Sequence, residues 1–183
     1  MKRTYMATEL TLEQEGQQVV LNGWVDTRRD HGGLIFIDLR DRSGLIQVVF
    51  SPEVNREAFH LAEQVRSEYV IAVSGIVRKR PAATENPNLA TGKIEVYVEQ
   101  MEVFSPAKTP PFYIEDGVEV DEILRLKYRY LDLRRPEMKN NFILRHRVVK
   151  TMRDYLDSKG FLEIETPMLT KSSPEGARDY LVP

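Results

Sequence analysis

Cysteine is absent from all 183 residues, which excludes a disulfide framework and thiolate metal sites and suits a reducing compartment. Histidine is scarce: His31, His60 and His146 are too scattered for a metal-ligand spacing. Nowhere do about 18 consecutive apolar residues occur, and MKRTYMATEL lacks the apolar run of a signal peptide. No membrane association is therefore expected, and a soluble cytoplasmic protein is the default. Neither sign of charge is in excess. With 26 basic and 28 acidic residues the net charge is −2, so any attraction to nucleic acid must come from a local patch. The glycine pair Gly32-Gly33 is too short to be a phosphate-cradling loop.

What is present suffices for a core, at 42% hydrophobic residues with 30% charged. The length fits one small domain plus part of another. The clearest pattern is Leu34 to Phe50, two alternating runs around the polar turn Asp41-Arg42-Ser43-Gly44, which predicts an antiparallel hairpin. Ile35, Ile37 and Leu39 share one face with a core role; Leu34, Phe36, Asp38 and Arg40 share the other. Ile46, Val48 and Phe50 fall together and leave Gln47 opposite. Phe36 is an odd ring to place among polar groups unless something flat stacks on it.

Around the hairpin, Gln17–Arg29 reads as a long strand with Gly23 marking a bend. Trp24 beside it is expected in the core. Glu53–Ser67 reads as a helix with Val54, Ala58, Leu61, Ala62 and Val65 on one stripe. Tyr69–Arg78 and Lys93–Phe104 are two further strands, separated by a 14-residue loop over 79–92, long enough to suspect a function. Five strands with one helix between the third and fourth is the order of the OB-fold, a small Greek-key barrel. Such barrels bind oligonucleotides on strands 2 and 3 and on the loops joining strands 1–2 and 4–5. Those places hold Arg28, Arg29, His31, Phe36 and Gln47, with Glu95 opening the fifth strand. Cations for phosphate, a ring for stacking, and an amide with a carboxylate for base edges are what single-stranded RNA recognition requires. The same pattern also fits a solvated sheet carrying one stray aromatic.

Ser105 to Glu122 has three prolines within six residues, then five acidic residues, and reads as an interdomain spacer. Ile123–Arg135 is expected to be a short helix whose Arg, Lys and Tyr residues also fit a solvated basic face. Pro136–Lys159 is the longest helical pattern, with Leu144, Val148, Met152 and Tyr155 in a stripe and Gly160 as its stop. Phe161–Thr166 alternates as a strand that Pro167 ends. One helix and one strand cannot bury their own apolar faces, so this second domain is expected to be truncated and the chain a fragment. The expected organisation is a barrel over 1–104, a linker and hinge over 105–135, and the start of a second domain over 136–183.

Three segments, GWVDTRRDHGGLIFIDLRDRSGLIQVVF, RLKYRYLDLRRPEM and GFLEIETPMLTKSSPEGARDYLVP, resemble bacterial aspartyl-tRNA synthetases, in order and over nearly the whole chain. The barrel and middle segment are shared with the asparaginyl and lysyl enzymes; PEGARDYLVP is similar to the aspartyl type. The resemblance implies an anticodon-binding OB-fold barrel, a hinge, and the first helix and strand of an α+β class II catalytic domain. It implies that Phe36 stacks on an anticodon base, that Gln47 and Glu95 read base edges, and that Arg29 lies against the anticodon loop. The resemblance also implies that Pro167 falls in the first class II motif, which forms a homodimer interface, and that Glu175, in a loop from Lys171 to Ala177, interacts with bound L-aspartate. His31, where strict enzymes carry an apolar residue, and Ala83, a small residue, resemble the relaxed group that charges both tRNA(Asp) and tRNA(Asn). The resemblance implies ATP and Mg2+ for the full enzyme, but its second and third motifs are absent from these residues, so no catalytic residue is expected in this chain and the chain alone should not aminoacylate. The alternatives are an asparaginyl or lysyl relative and a free-standing OB-fold RNA-binding module.

Overall fold

The computed structural model describes residues 1–169 and Lys171. The chain divides into two compact units, Met1–Pro111 and Phe112–Pro183. In the first, β1 (Gln18–His31), β2 (Leu34–Arg40), β3 (Leu45–Phe50), β4 (Val70–Lys79) and β5 (Ile94–Ser105) form a closed barrel in the order β1-β2-β3-β5-β4. Helix α1 (Arg56–Gln64) lies between β3 and β4 in the chain, as the OB-fold order requires.

Strand β1 closes the ring because it is long enough to pair twice. Gln18–Trp24 runs against β4, and Trp24–His31 runs against β2, with a register shift between Val25 and Thr27. Two glycines make the corners possible. A Cβ on Gly23 would stand 2.4 Å from the Arg40 carbonyl oxygen, and one on Gly75 would stand 2.1 Å from that of Tyr97. The core is the inward parity of every strand: Val19, Leu21 and Val25; Ile35, Ile37 and Leu39; Ile46, Val48 and Phe50; Ile71, Val73 and Val77; Ile94, Val96 and Val98. From α1 only Ala58 and Ala62 join it as helical residues, with Val65 at the C-cap. Val54, expected on that stripe, precedes the Asn55 N-cap and is exposed. Strand β1 runs two residues further than expected, through Asp30 and His31, so the turn is only Gly32-Gly33. Their φ values of 61° and 76° are those of the left-handed two-residue hairpin turn.

Two expectations are overturned in this unit. Trp24 is not core: it is 38% exposed, because parity sends Gly23 and Val25 inward and leaves Trp24 facing out beside Val20 and Asn22. The first 16 residues, which lack a period, are nevertheless anchored. Ala7 and Leu10 are buried, and the Ala7 and Thr8 amides donate to Asp41 Oδ2 (2.7 Å) and Ser43 Oγ (3.0 Å) of the β2–β3 turn.

In the second unit α2 (Glu122–Lys127), N-capped by Asp121, is followed by α3 (Arg129–Asp132) and the long α4 (Pro136–Ser158). The basic residues of this stretch are not simply a solvated face. Arg125, Arg129 and Arg135 converge on Asp132, which is fully buried, at 3.0, 2.6 and 3.3 Å. Burial opposes ionisation of Asp132, but the hydrogen bonds and charges of the arginines outweigh it and hold the carboxyl below its ordinary value. Helix α4 ends where Gly160 takes φ 82° and the Phe161 amide reaches back to the Leu156 carbonyl, a left-handed stop. The stripe Leu144, Val148, Met152 and Tyr155 is at least half exposed. The strand expected over Phe161–Thr166 does not form. A strand needs a neighbour for its amides and carbonyls, and no described residue offers one.

Candidate nucleic-acid interface

The outer face of the barrel carries a continuous chain of polar contacts across four strands. Register places Arg29 beside Phe36 and Thr27 beside Asp38 on β1 and β2, and Asp38 beside Gln47 on β2 and β3. Arg29 donates both terminal nitrogens to Asp38, at 2.6 and 2.9 Å, and its Nη2 also reaches Gln47 Oε1 at 3.3 Å. The amide nitrogen of Gln47 donates to Glu95 Oε2 at 2.8 Å. Behind Glu95, Arg80 donates Nε–H to the Ile94 carbonyl at 2.9 Å and stands 3.9 Å from the Glu95 carboxylate.

Depth differs along this chain. The Arg29 side chain is 48% exposed and the Gln47 and Phe36 side chains are half-buried, whereas Glu95 and Arg80 are 5% and 4% exposed. The hydrogen bonds to Asp38 raise the Arg29 guanidinium above its ordinary value and hold it charged. Burial acts oppositely on the inner pair. It raises the Glu95 carboxyl, against the bond from Gln47 and the charges of Arg80 and Arg78, and it lowers Arg80. The face therefore offers a charged fork at its rim and an amide and a carboxyl oriented by neighbours at its floor. Such groups suit the hydrogen-bonding edges of unstacked bases, and a ring at their side suits a base face.

The sequence-predicted residues separate into those the fold brings together and those it does not. Arg29, Gln47 and Glu95 are joined by direct bonds, and Phe36 is the cross-strand neighbour of Arg29. His31 ends β1, exposed, and borders an open hollow of about 300 Å³ with Gly32, Gly33, Leu34 and Phe59. Ala83 lies exposed in the single turn Ala82–Thr84 of the β4–β5 loop. Pro167 is exposed in the segment after α4, and Glu175 lies outside the described residues. Sequence reasoning missed Asp38 and Arg80 as members of the constellation. Asp38 carried a signal, since it shares the outward face with Phe36; Arg80 carried only its place just beyond β4.

This geometry meets its relatives in two separate matches. Residues 19–104 match the family model for the OB-fold nucleic acid binding domain, and residues 121–183 match that for class II tRNA synthetases of the D, K and N group. Residues 121–183 belong to the class II aspartyl, lysyl and asparaginyl tRNA synthetase family. Within it, the aspartate–tRNA(Asp/Asn) ligase of Syntrophomonas wolfei is 77% identical over 183 residues, the whole of this chain. That of Heliobacterium modesticaldum is 66% identical over the same 183 residues. The chain spans 31% and 30% of the length of these two relatives. Among solved structures, the asparaginyl-tRNA synthetase of Pyrococcus horikoshii complexed with asparaginyl-adenylate aligns with a TM-score of 0.80 at 29% identity, covering 97% of this chain and 39% of that one. The aspartyl-tRNA synthetase of Entamoeba histolytica, 23% identical, has the same fold at a TM-score of 0.80, covering 95% of this chain and 41% of its own.

Proposed function

We propose that this synthetase chain supplies the tRNA-reading portion of an aspartate–tRNA ligase that charges both tRNA(Asp) and tRNA(Asn). The observation that carries the reading is the bonded set Arg29–Gln47–Glu95 on the outer face beside Phe36. Phe36 stacks on an anticodon base, Gln47 and Glu95 read base edges, and Arg29 engages the loop. In the free protein these groups satisfy one another, so the RNA exchanges bonds already oriented rather than ordering loose side chains. The names of the relatives at 77% and 66% identity support aspartate as the amino acid and relaxed choice of tRNA. His31, exposed at the tip of β1, and Ala83 are the residues to which this proposal assigns that choice. The match of residues 121–183 to the synthetase model weighs against a free-standing barrel.

The remaining assignments concern a whole protein longer than this chain. Glu175 contacts L-aspartate, and the α4 stripe with Pro167 belongs to an isologous homodimer interface, which accounts for its exposure here. ATP and Mg2+ follow from the family. Among the described residues no group of three or more His, Asp or Glu side chains could hold a metal. No helix among the described residues is long and apolar enough to cross a membrane, and the cytoplasm is the proposed location. The deciding experiment is charging of purified tRNA(Asp) and tRNA(Asn) by the complete protein; charging of neither with aspartate overturns the reading.

A further inference from the structure

The outer face holds a second aromatic ring that the constellation above does not use. In β5 the inward positions are Ile94, Val96 and Val98, and Tyr97 takes the outward parity, partly exposed. Register sets Phe36 beside Val49 and Val49 beside Tyr97, so the two rings stand in one row with the fully buried Val49 between them. Two strand spacings separate them, about 10 Å. That is too far for both rings to sandwich one base and suits two nucleotides splayed apart.

Arg78 lies over the Tyr97 ring, its guanidinium carbon 4.1 Å from the centroid. Its neighbours on the barrel spend their guanidinium groups on carboxylates: Arg28 on Asp30, Arg29 on Asp38, Arg40 on Asp26 and Glu68, Arg80 on Glu95. The Arg78 side chain makes no hydrogen bond or ion pair among the described residues, although Arg78 is paired with Glu95 in register and its charge is felt there. A guanidinium stacked flat on a ring keeps its donor edge free, and that edge matches a phosphate.

We propose that Tyr97 and Arg78 form a second nucleotide subsite of the RNA face, with Tyr97 stacking the base adjacent in sequence to the one on Phe36 and Arg78 holding the intervening phosphate. This extension rests on the RNA-binding reading above. The ring supplies a sequence-tolerant contact and the cation a salt-dependent one, so the subsite orients the loop while Gln47 and Glu95 read it.

The test is binding of the aspartate-tRNA anticodon stem-loop to the 183-residue chain, with each loop nucleotide made abasic in turn. Tyr97→Leu, which keeps apolar bulk, should weaken binding roughly 5- to 100-fold, while Tyr97→Phe binds like the parent. One abasic position should cost affinity in the parent and in Phe36→Ala but nothing further in Tyr97→Leu. Arg78→Gln should reduce the slope of log K against log salt by about 0.7, the share of one phosphate on a single strand. A merely structural ring would give no such pairing between one nucleotide and one side chain. Parent-like binding by Tyr97→Leu and Arg78→Gln, with Phe36→Ala impaired, overturns the subsite and leaves the RNA face intact. Failure of the parent to bind the stem-loop overturns both.

Discussion

Gln47 donates its amide nitrogen to Glu95 at 2.8 Å, joining two residues 48 positions apart on β3 and β5. The bond fixes which way the amide points, because the Gln47 oxygen is engaged by Arg29. An amide held this way presents a defined donor and acceptor order to a base edge, which a freely rotating glutamine does not.

Removing the ring beside this pair is the most direct check on its use. Phe36→Ala should weaken stem-loop binding by about 1–3 kcal/mol, the worth of one stacked base, as measured by titration of the labelled RNA. Thermal melting of the barrel should move little, since Phe36 is outside the core cluster. Equal affinities would remove Phe36 from the interface.

The tip of β1 is where tRNA choice is proposed to reside. In the complete protein His31→Leu should lower the rate of charging tRNA(Asn) more than that of tRNA(Asp), compared side by side with purified tRNAs. An equal fall on both would show that His31 supports binding without discriminating.

Gly23 sits where β1 passes the end of β2, and its missing Cβ leaves room for the Arg40 carbonyl oxygen. Gly23→Ala forces backbone apart, so a loss of about 1–3 kcal/mol is expected in urea unfolding of the chain. Wild-type stability in this variant would mean that the corner relaxes freely.

Asp132 in the second unit gathers three arginines at a fully buried carboxylate. Asp132→Ala removes the one buried carboxylate that the three cations share. Loss of one partner from a buried ion pair costs about 3–5 kcal/mol. The expected readout is fast hydrogen exchange over residues 122–135 with the barrel amides still protected; unchanged protection there would refute the clamp.

Asp41 gives a pH prediction of definite sign. Burial opposes its ionisation, but bonds from Ser43, Ala7 and Gly44 outweigh that and depress the folded carboxyl. A depressed acid contributes stability above its unfolded value, about 3.9, and loses it as pH falls through the lower folded value. Acid unfolding should therefore be less steep below pH 4 in Asp41→Asn, which is uniformly weaker at neutral pH. Identical acid profiles would assign the anchoring of the first 16 residues to other contacts.

Much of the barrel was legible without coordinates because a strand's inside and outside alternate every residue. Ile35, Ile37 and Leu39 could be assigned to the core, and Phe36 and Gln47 to the other face, from that local period alone. Trp24 shows the cost of setting parity aside for residue type: its size argued for burial, and its position in β1 placed it outward. The alternating Phe161–Thr166 shows the complementary failure, a strand pattern without a partner to pair with.

Local pattern alone was enough for the five barrel strands, the position of α1, the inward side of the β2–β3 hairpin and the outward chemistry of Arg29, Phe36, Gln47 and Glu95. Only the tertiary structure decided that Asp38 holds Arg29, that Arg80 backs Glu95, that Tyr97 shares the row of Phe36, and that three arginines close on Asp132. The physical reason is range. Alternation is a property of neighbouring residues, whereas partners depend on the register of strands far apart in the chain, which barrel closure sets as a whole.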